Sequence, residues 1–133
     1  MRNITLTIAL GFYMLLTQLC FAGERSAEDF IVRDIKISEV GQDSKEARQK
    51  AVQMAQGQAF NALVMKLIGS QFGVDATSHE IESLIESIEI QGEVITNQNY
   101  AATFTIHFNK SYTTYFLDNK ILDAKDHSPS VLV

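Results

Sequence analysis

Alanine recurs at every fourth position from Ala47 through Ala51 and Ala55 to Ala59, and Leu63 and Leu67 continue the same stripe. Four-residue spacing returns to one face of an α-helix at each turn. Methyl side chains on that face let the helix axis lie close to its partner surface, where larger residues would overpack at about 1–3 kcal/mol each. The ends are marked as clearly as the face. Asp43 is placed to cap the N-terminus, and Glu46 three residues on completes a capping box. Gly69 stands where a left-handed C-terminal cap belongs. The pattern predicts one long helix from Asp43 to about Ile68. Phe60, Val64, Met65 and Ile68 widen its apolar arc in the second half, so a further element must cover that end. Gly57 lies opposite the alanine stripe, where it costs about 1 kcal/mol. It is either a tolerated defect or the seat of a close-docking partner.

The surface under this helix is predicted to be a sheet. Over residues 30–40, Ile35 and Ile37 alternate with Asp34, Lys36 and Ser38, the period of a half-buried strand. In residues 88–96, Ile88, Ile90 and Val94 are expected to share a face opposite Glu89, Gln91 and Glu93. In residues 100–108, Tyr100, Ala102, Phe104, Ile106 and Phe108 alternate with Ala101, Thr103, Thr105 and His107. Asn97-Gln98-Asn99 between them is turn chemistry, because Asn tolerates positive φ, and a hairpin is predicted. A second helix is expected over 78–87, with Thr77 and Glu80 as a capping box and Ile81, Leu84, Ile85 and Ile88 at helical spacing. Phe72 and Val74 flank Gly73 as plugs in the loop before it.

A third helix is expected over 112–122, burying Tyr112, Tyr115, Phe116 and Ile121. A polar stretch with Pro129 then leads to Val131-Leu132-Val133, a short last strand or a loose end. The element order predicts an α+β fold, a single small sheet with helices packed on one face in the split β-α-β order of ferredoxin-like folds. The expected layout is a signal peptide at 1–22, a flexible lead at 23–29, one domain at 30–122 and a polar tail at 123–133.

The reading of 1–22 rests on Arg2, an apolar run over residues 4–16, and an exit, Thr17-Gln18-Leu19-Cys20-Phe21-Ala22, with small residues where a signal peptidase inspects. The apolar core is about 13 residues against the roughly 20 of a spanning helix. Cleavage after Ala22, a periplasmic product and no stable membrane anchor are therefore expected. Lipidation at Cys20 is the rival, disfavoured by the bulky Leu19 where a lipobox takes a small residue. Cys20 is the single cysteine, so a cleaved product has no thiol. Disulfide scaffolds, thiolate zinc sites and cysteine nucleophiles then drop out. With Arg2 gone, ten basic residues face 16 acidic ones, a net charge of −6. No basic cluster offers the footprint of nucleic-acid binding, and anionic lipid is disfavoured for the same reason.

The helix text Glu46-Ala47-Arg48-Gln49-Lys50-Ala51-Val52-Gln53-Met54-Ala55, continued by Ala59-Phe60-Asn61-Ala62-Leu63-Val64-Met65-Lys66-Leu67-Ile68-Gly69, resembles an uncharacterised family of exported Gram-negative proteins, a domain of unknown function. That family carries A-R-x-x-A-x-x-x-A running to a Leu/Val-rich helix end and a Gly, then a hairpin. A strand ending in Phe-Asp or Phe-Asn then opens a helix, as Phe104-Thr105-Ile106-His107-Phe108-Asn109-Lys110-Ser111 does here. The resemblance covers about residues 35–122 and implies an exported envelope protein. It supplies no catalytic residues, and family members are typically longer.

Chemistry-bearing residues are present but scattered. His79, His107 and His127 share no ligand spacing, and none sits in an H-E-x-x-H pattern. Glu82 and Glu86 stand one helical turn apart on the expected second helix, placed to bind a cation or to pair as acid and base, or simply to form a solvated acidic face with Glu80, Glu89 and Glu93. No serine lies in a G-x-S-x-G elbow, and Gly69-Ser70-Gln71-Phe72-Gly73 lacks the lysine of a phosphate-binding loop. Tyr100, Phe104, Phe108, Tyr112, Tyr115 and Phe116 are expected as core rather than as a ligand pocket. No catalytic, cofactor-binding or metal site is nominated. The expected role is a non-catalytic, protein-binding module of the cell envelope, with the 30–40 strand as an edge open to a partner strand. A small-ligand carrier or sensor is the alternative, and an enzyme built on the acidic cluster ranks last.

Overall fold

The computed structural model describes residues 25–70 and 74–127. The signal segment with Cys20, the loop residues Phe72 and Gly73, Pro129 and Val131-Leu132-Val133 lie outside the described residues. A 3₁₀ turn at Ala27–Phe30 leads into β1 (Ile31–Val40), followed by α1 (Ser44–Ile68), α2 (Ser78–Leu84), β2 (Ile85–Ile95), β3 (Asn99–Phe108) and α3 (Lys110–His127). The sheet order is β1-β3-β2 with both pairings antiparallel. β1 and β2 thus run parallel with β3 inserted between them, the split β-α-β arrangement expected from the element order.

α1 forms where its caps dictate. The Asp43 carboxylate accepts from the Glu46 N–H at 2.8 Å, and the Gly69 N–H, at φ 80°, donates to the Met65 carbonyl at 2.9 Å. The reciprocal arm of the box is shifted by one residue. Glu46 accepts from the Gln42 N–H at 3.0 Å, and that bond, helped by Lys50, holds its carboxyl below the ordinary value. Ala47, Ala51, Ala55, Ala59 and Leu63 are all 0% exposed, with α1 laid across β1 and β3. The close approach leaves Tyr100, Phe104 and Ile106 of β3 fully buried beneath it, each worth about 1.5–3 kcal/mol of apolar burial. Met65, expected in the apolar arc, is exposed instead, whereas Phe60 and Val64 are buried.

Three bulges shape the sheet, one of them at Glu86, between the Ile85–Phe108 and Ser87–His107 pairs. Arg33 and Asp34 together oppose Thr105, with Asp34 at φ 59°. Gly92 and Glu93 oppose Ala102, with Gly92 at φ 62°. Each inserts one residue and so reverses the inward-outward phase beyond it. For this reason Val94 pairs with Ala101 on the outer face, and Ile95, not Val94, shares the inner face with Tyr100. The expected Ile88-Ile90-Val94 face is corrected accordingly.

The other departures concern element ends. α2 stops at Leu84, and Ile85 pairs with Phe108 as a strand residue. Ile85 and Ile88 fit both periods, and pairing with the finished edge of β3 satisfies their backbone groups. The lead is not loose over residues 25–29. Ser26 and Asp29 form a capping box, Arg25 donates to the Leu67 carbonyl at 2.7 Å, and Lys110 donates to the Arg25 carbonyl at 2.6 Å. α3 is longer at both ends than predicted, and its N-terminus is fixed by Asn109, whose Oδ1 accepts from the Tyr112 N–H at 3.0 Å.

Candidate interaction site between α2 and α3

The Asn109 N–H donates to the Leu84 carbonyl at 2.8 Å, tying the end of β3 to the end of α2. α3 therefore leaves the sheet beside α2, with its orientation set before its first turn is complete. Its buried side carries Thr113 and Leu117, at 0% and 3% exposure. Phe116 sits half-buried, edge-on to Phe60 of α1 at 6.1 Å. Helical spacing then turns Tyr112, Tyr115 and Leu122 outward, at 64%, 73% and 58% exposure.

This corrects the expected buried set for α3. Two apolar stripes run along the helix, one through Thr113, Phe116, Leu117 and Ile121 and one through Tyr112, Tyr115, Asn119 and Leu122. The narrower Thr113–Leu117 stripe packs inward and leaves the tyrosines outside. The aromatic set is divided as a result. Tyr100, Phe104 and Phe108 belong to the core, whereas Tyr112, Tyr115 and Phe116 line an open groove of about 440 Å³. Leu84 adds apolar surface to that groove, and Ser83, Asn119, Lys120 and Asp123 supply its polar groups. The Lys120 ammonium stands 5.4 Å from the Phe116 ring centroid and 3.6 Å from the Glu80 carboxylate. Glu80 itself closes the α2 capping box, accepting from the Thr77 N–H at 2.9 Å. That bond first, with Lys120 adding to it, holds the Glu80 carboxyl below the ordinary value.

The chemistry-bearing residues remain apart. Glu82 lies on α2 and Glu86 on β2, so the helical turn that would have paired them does not exist. His79 is exposed on α2. His107 is half-buried on the outer sheet face, its Nε2 at 3.5 Å from Glu89, too long for a hydrogen bond. His127 is the last residue of α3. Among the described residues no group of three or more His, Cys, Asp or Glu is placed to hold a metal ion, and no helix is long and apolar enough to cross a membrane. A second groove, of about 480 Å³, is lined by Lys45, Arg48, Gln49, Val52 and Gln53 of α1 together with Glu82.

β1 and β2 are the two edges of the sheet among the described residues. Both are bulged, and both carry charges, Arg33, Asp34 and Lys36 on one and Glu86, Glu89 and Glu93 on the other. Bulges and edge charges are the features that discourage strand addition. The edge of β1, expected to be open to a partner strand, carries both. Compared with protein-family models, curated proteins and solved structures, the chain gives no match.

Proposed function

We propose that this chain is a non-catalytic interaction module that docks a protein partner through the α2–α3 groove. The observation that carries the reading is the outward display of Tyr112 and Tyr115, at 64% and 73% exposure, on a helix whose opposite side is buried. A tyrosine offers a large, stiff apolar body with a polar tip, which is why such residues dominate interface energetics. Covering each ring is worth about 1.5–3 kcal/mol. The test places a photo-crosslinking residue at Tyr115 and, separately, at Gln91 on the opposite face of the sheet, in cells that make the protein. A discrete adduct at 115 and none at 91 supports the reading. Absence of an adduct at 115, or the same smear at both, overturns it.

Export to the periplasm is part of the same proposal. It is supported by the Arg2, apolar run and Ala22 pattern of residues 1–22, and the 46–69 helix text supports kinship with the exported family described above. Intact mass of the cellular product tests both cleavage and lipidation. A mass retaining Cys20 contradicts cleavage after Ala22. A small-ligand site is the second reading, favoured by a groove volume of about 440 Å³ within the range of ligand pockets. A thermal-shift screen against lipids, glycan fragments and metals separates the two, because a bound ligand raises the midpoint.

A further inference from the structure

We propose that the outer stripe of α3 seats an amphipathic helix whose apolar seam is flanked by basic residues. The proposal rests on the interaction reading above and names the partner's chemistry. Tyr112, Tyr115, Asn119 and Leu122 follow one another at intervals of three, four and three residues, the spacing of a helix–helix seam. Three of the four are large apolar or aromatic groups more than half exposed. α3 buries one side against Phe60 and the core, so it is apolar on two faces, the pattern of a helix with two packing partners. From Tyr112 to Leu122 the seam runs about 15 Å at 1.5 Å per residue, long enough for about three turns of a partner helix.

Charge selects the occupant. Asp118 and Asp123, both exposed, fall on opposite flanks of the stripe at the helical repeat of about 100° per residue. The neighbouring Lys120 is directed at Glu80 and the Phe116 ring. A second copy of this chain would bring Asp118 and Asp123 against their own kind in either orientation, and like charges beside a helix seam are repulsive. Anionic lipid meets the same repulsion. Lysine or arginine flanking the seam of a partner helix complements both aspartates. Asn119 in the middle of the stripe favours a partner with a polar residue opposite, which fixes register.

The probes are two 18-residue helical peptides with leucine seams, one flanked by lysine and the other by glutamate, titrated against the purified protein. The lysine peptide is expected to bind at least tenfold tighter, with amide shift changes confined to α2 and α3. Tyr112→Ala with Tyr115→Ala keeps every charge and is expected to weaken binding at least tenfold. Asp118→Asn with Asp123→Asn is expected to bring the two peptides within threefold of each other. Equal binding of the peptides to the unaltered protein overturns the proposal, as does lysine-peptide binding that survives the tyrosine double variant. Sedimentation showing a dimer that this variant abolishes overturns it in favour of a second copy. A crosslink at Tyr115 combined with failure of both peptides keeps the interaction surface and removes the basic helix.

Discussion

The Tyr100 hydroxyl donates to the Glu93 carboxylate at 2.7 Å, a bond that exists because the Gly92 bulge puts Glu93 opposite Ala102 instead of on the outer face. The Tyr100 ring is fully buried under α1, and Arg48 of α1 approaches the same carboxylate at 3.7 Å. One residue of the hairpin thus links β3, β2 and the first turns of α1. Tyr100→Phe keeps the ring and removes only the bond. Denaturant unfolding should show a loss of about 1.5 kcal/mol, the low end for a hydrogen bond to a charged group, with an unchanged slope.

The same pair produces a pH dependence at the alkaline end. Burial, and then Glu93, raise the Tyr100 phenol above its ordinary value of 10.0. The folded chain therefore holds this proton more tightly than the unfolded chain does. The associated stability is complete below about pH 10 and falls as pH climbs through the raised folded value. Urea midpoints measured from pH 8 to 11 should decline above 10, and Tyr100→Phe should flatten that decline. An identical decline in the variant would exclude Tyr100 as its source.

Thr113 is fully buried in α3, and its hydroxyl has no hydrogen-bond partner among the described residues. A buried hydroxyl without a partner carries a desolvation penalty of about 1–3 kcal/mol. Thr113→Val keeps the shape and removes the oxygen. Stabilisation of about 1 kcal/mol is expected, a rise of about 4–8 °C in melting temperature for a domain of this size. A fall would mean that the hydroxyl has a partner after all.

The parts of this fold that could be read from residues alone are those where a cap and a period agree. Asp43, the alanine stripe and Gly69 define α1 from end to end, and the Tyr100–Phe108 alternation defines β3. Reading failed where one residue changes the phase or where two periods compete. Gly92, a glycine inside a strand, is the recognised mark of a bulge, yet simple alternation runs straight through it and puts Val94 on the wrong face. Ile85 and Ile88 satisfy helix and strand spacing equally, and only the pairing with Phe108 and Ile106 decides between them. On α3 two stripes of similar hydrophobicity compete. Size alone favours burying the tyrosines, but the tie between Asn109 and Leu84 sets the helix rotation and turns Thr113 and Leu117 inward. The groove was invisible for that reason, although the Tyr112-Tyr115-Asn119-Leu122 spacing was its available signal.

At Gly57 no neighbouring element of this chain forbids a side chain. A Cβ built there meets nothing within 4 Å, so no neighbouring backbone requires the glycine. Gly57→Ala should stabilise the protein by about 1 kcal/mol through helix propensity and a less flexible unfolded chain. Thermal unfolding at neutral pH checks this, and destabilisation would reveal a surface docked on that side of the helix.

Two residues earlier and on the opposite face, the same kind of change should act in the other direction. Ala55 is 0% exposed in the layer between α1 and the sheet, flanked along the helix by Ala51 and Ala59, which are equally buried. Three added carbons have no space to enter there. Ala55→Leu must lift α1 from β1 and β3 or force neighbouring side chains off their rotamers, at about 1–3 kcal/mol. The midpoint of thermal unfolding should drop by several degrees at least, at roughly 4–8 °C per kcal/mol. Increased dye binding should report the apolar surface that the lifted helix exposes. Combined with Gly57→Ala, the two effects should not simply sum, because residues two apart on one helix share its tilt. An Ala55→Leu protein as stable as the parent would show that α1 does not dock closely on the sheet.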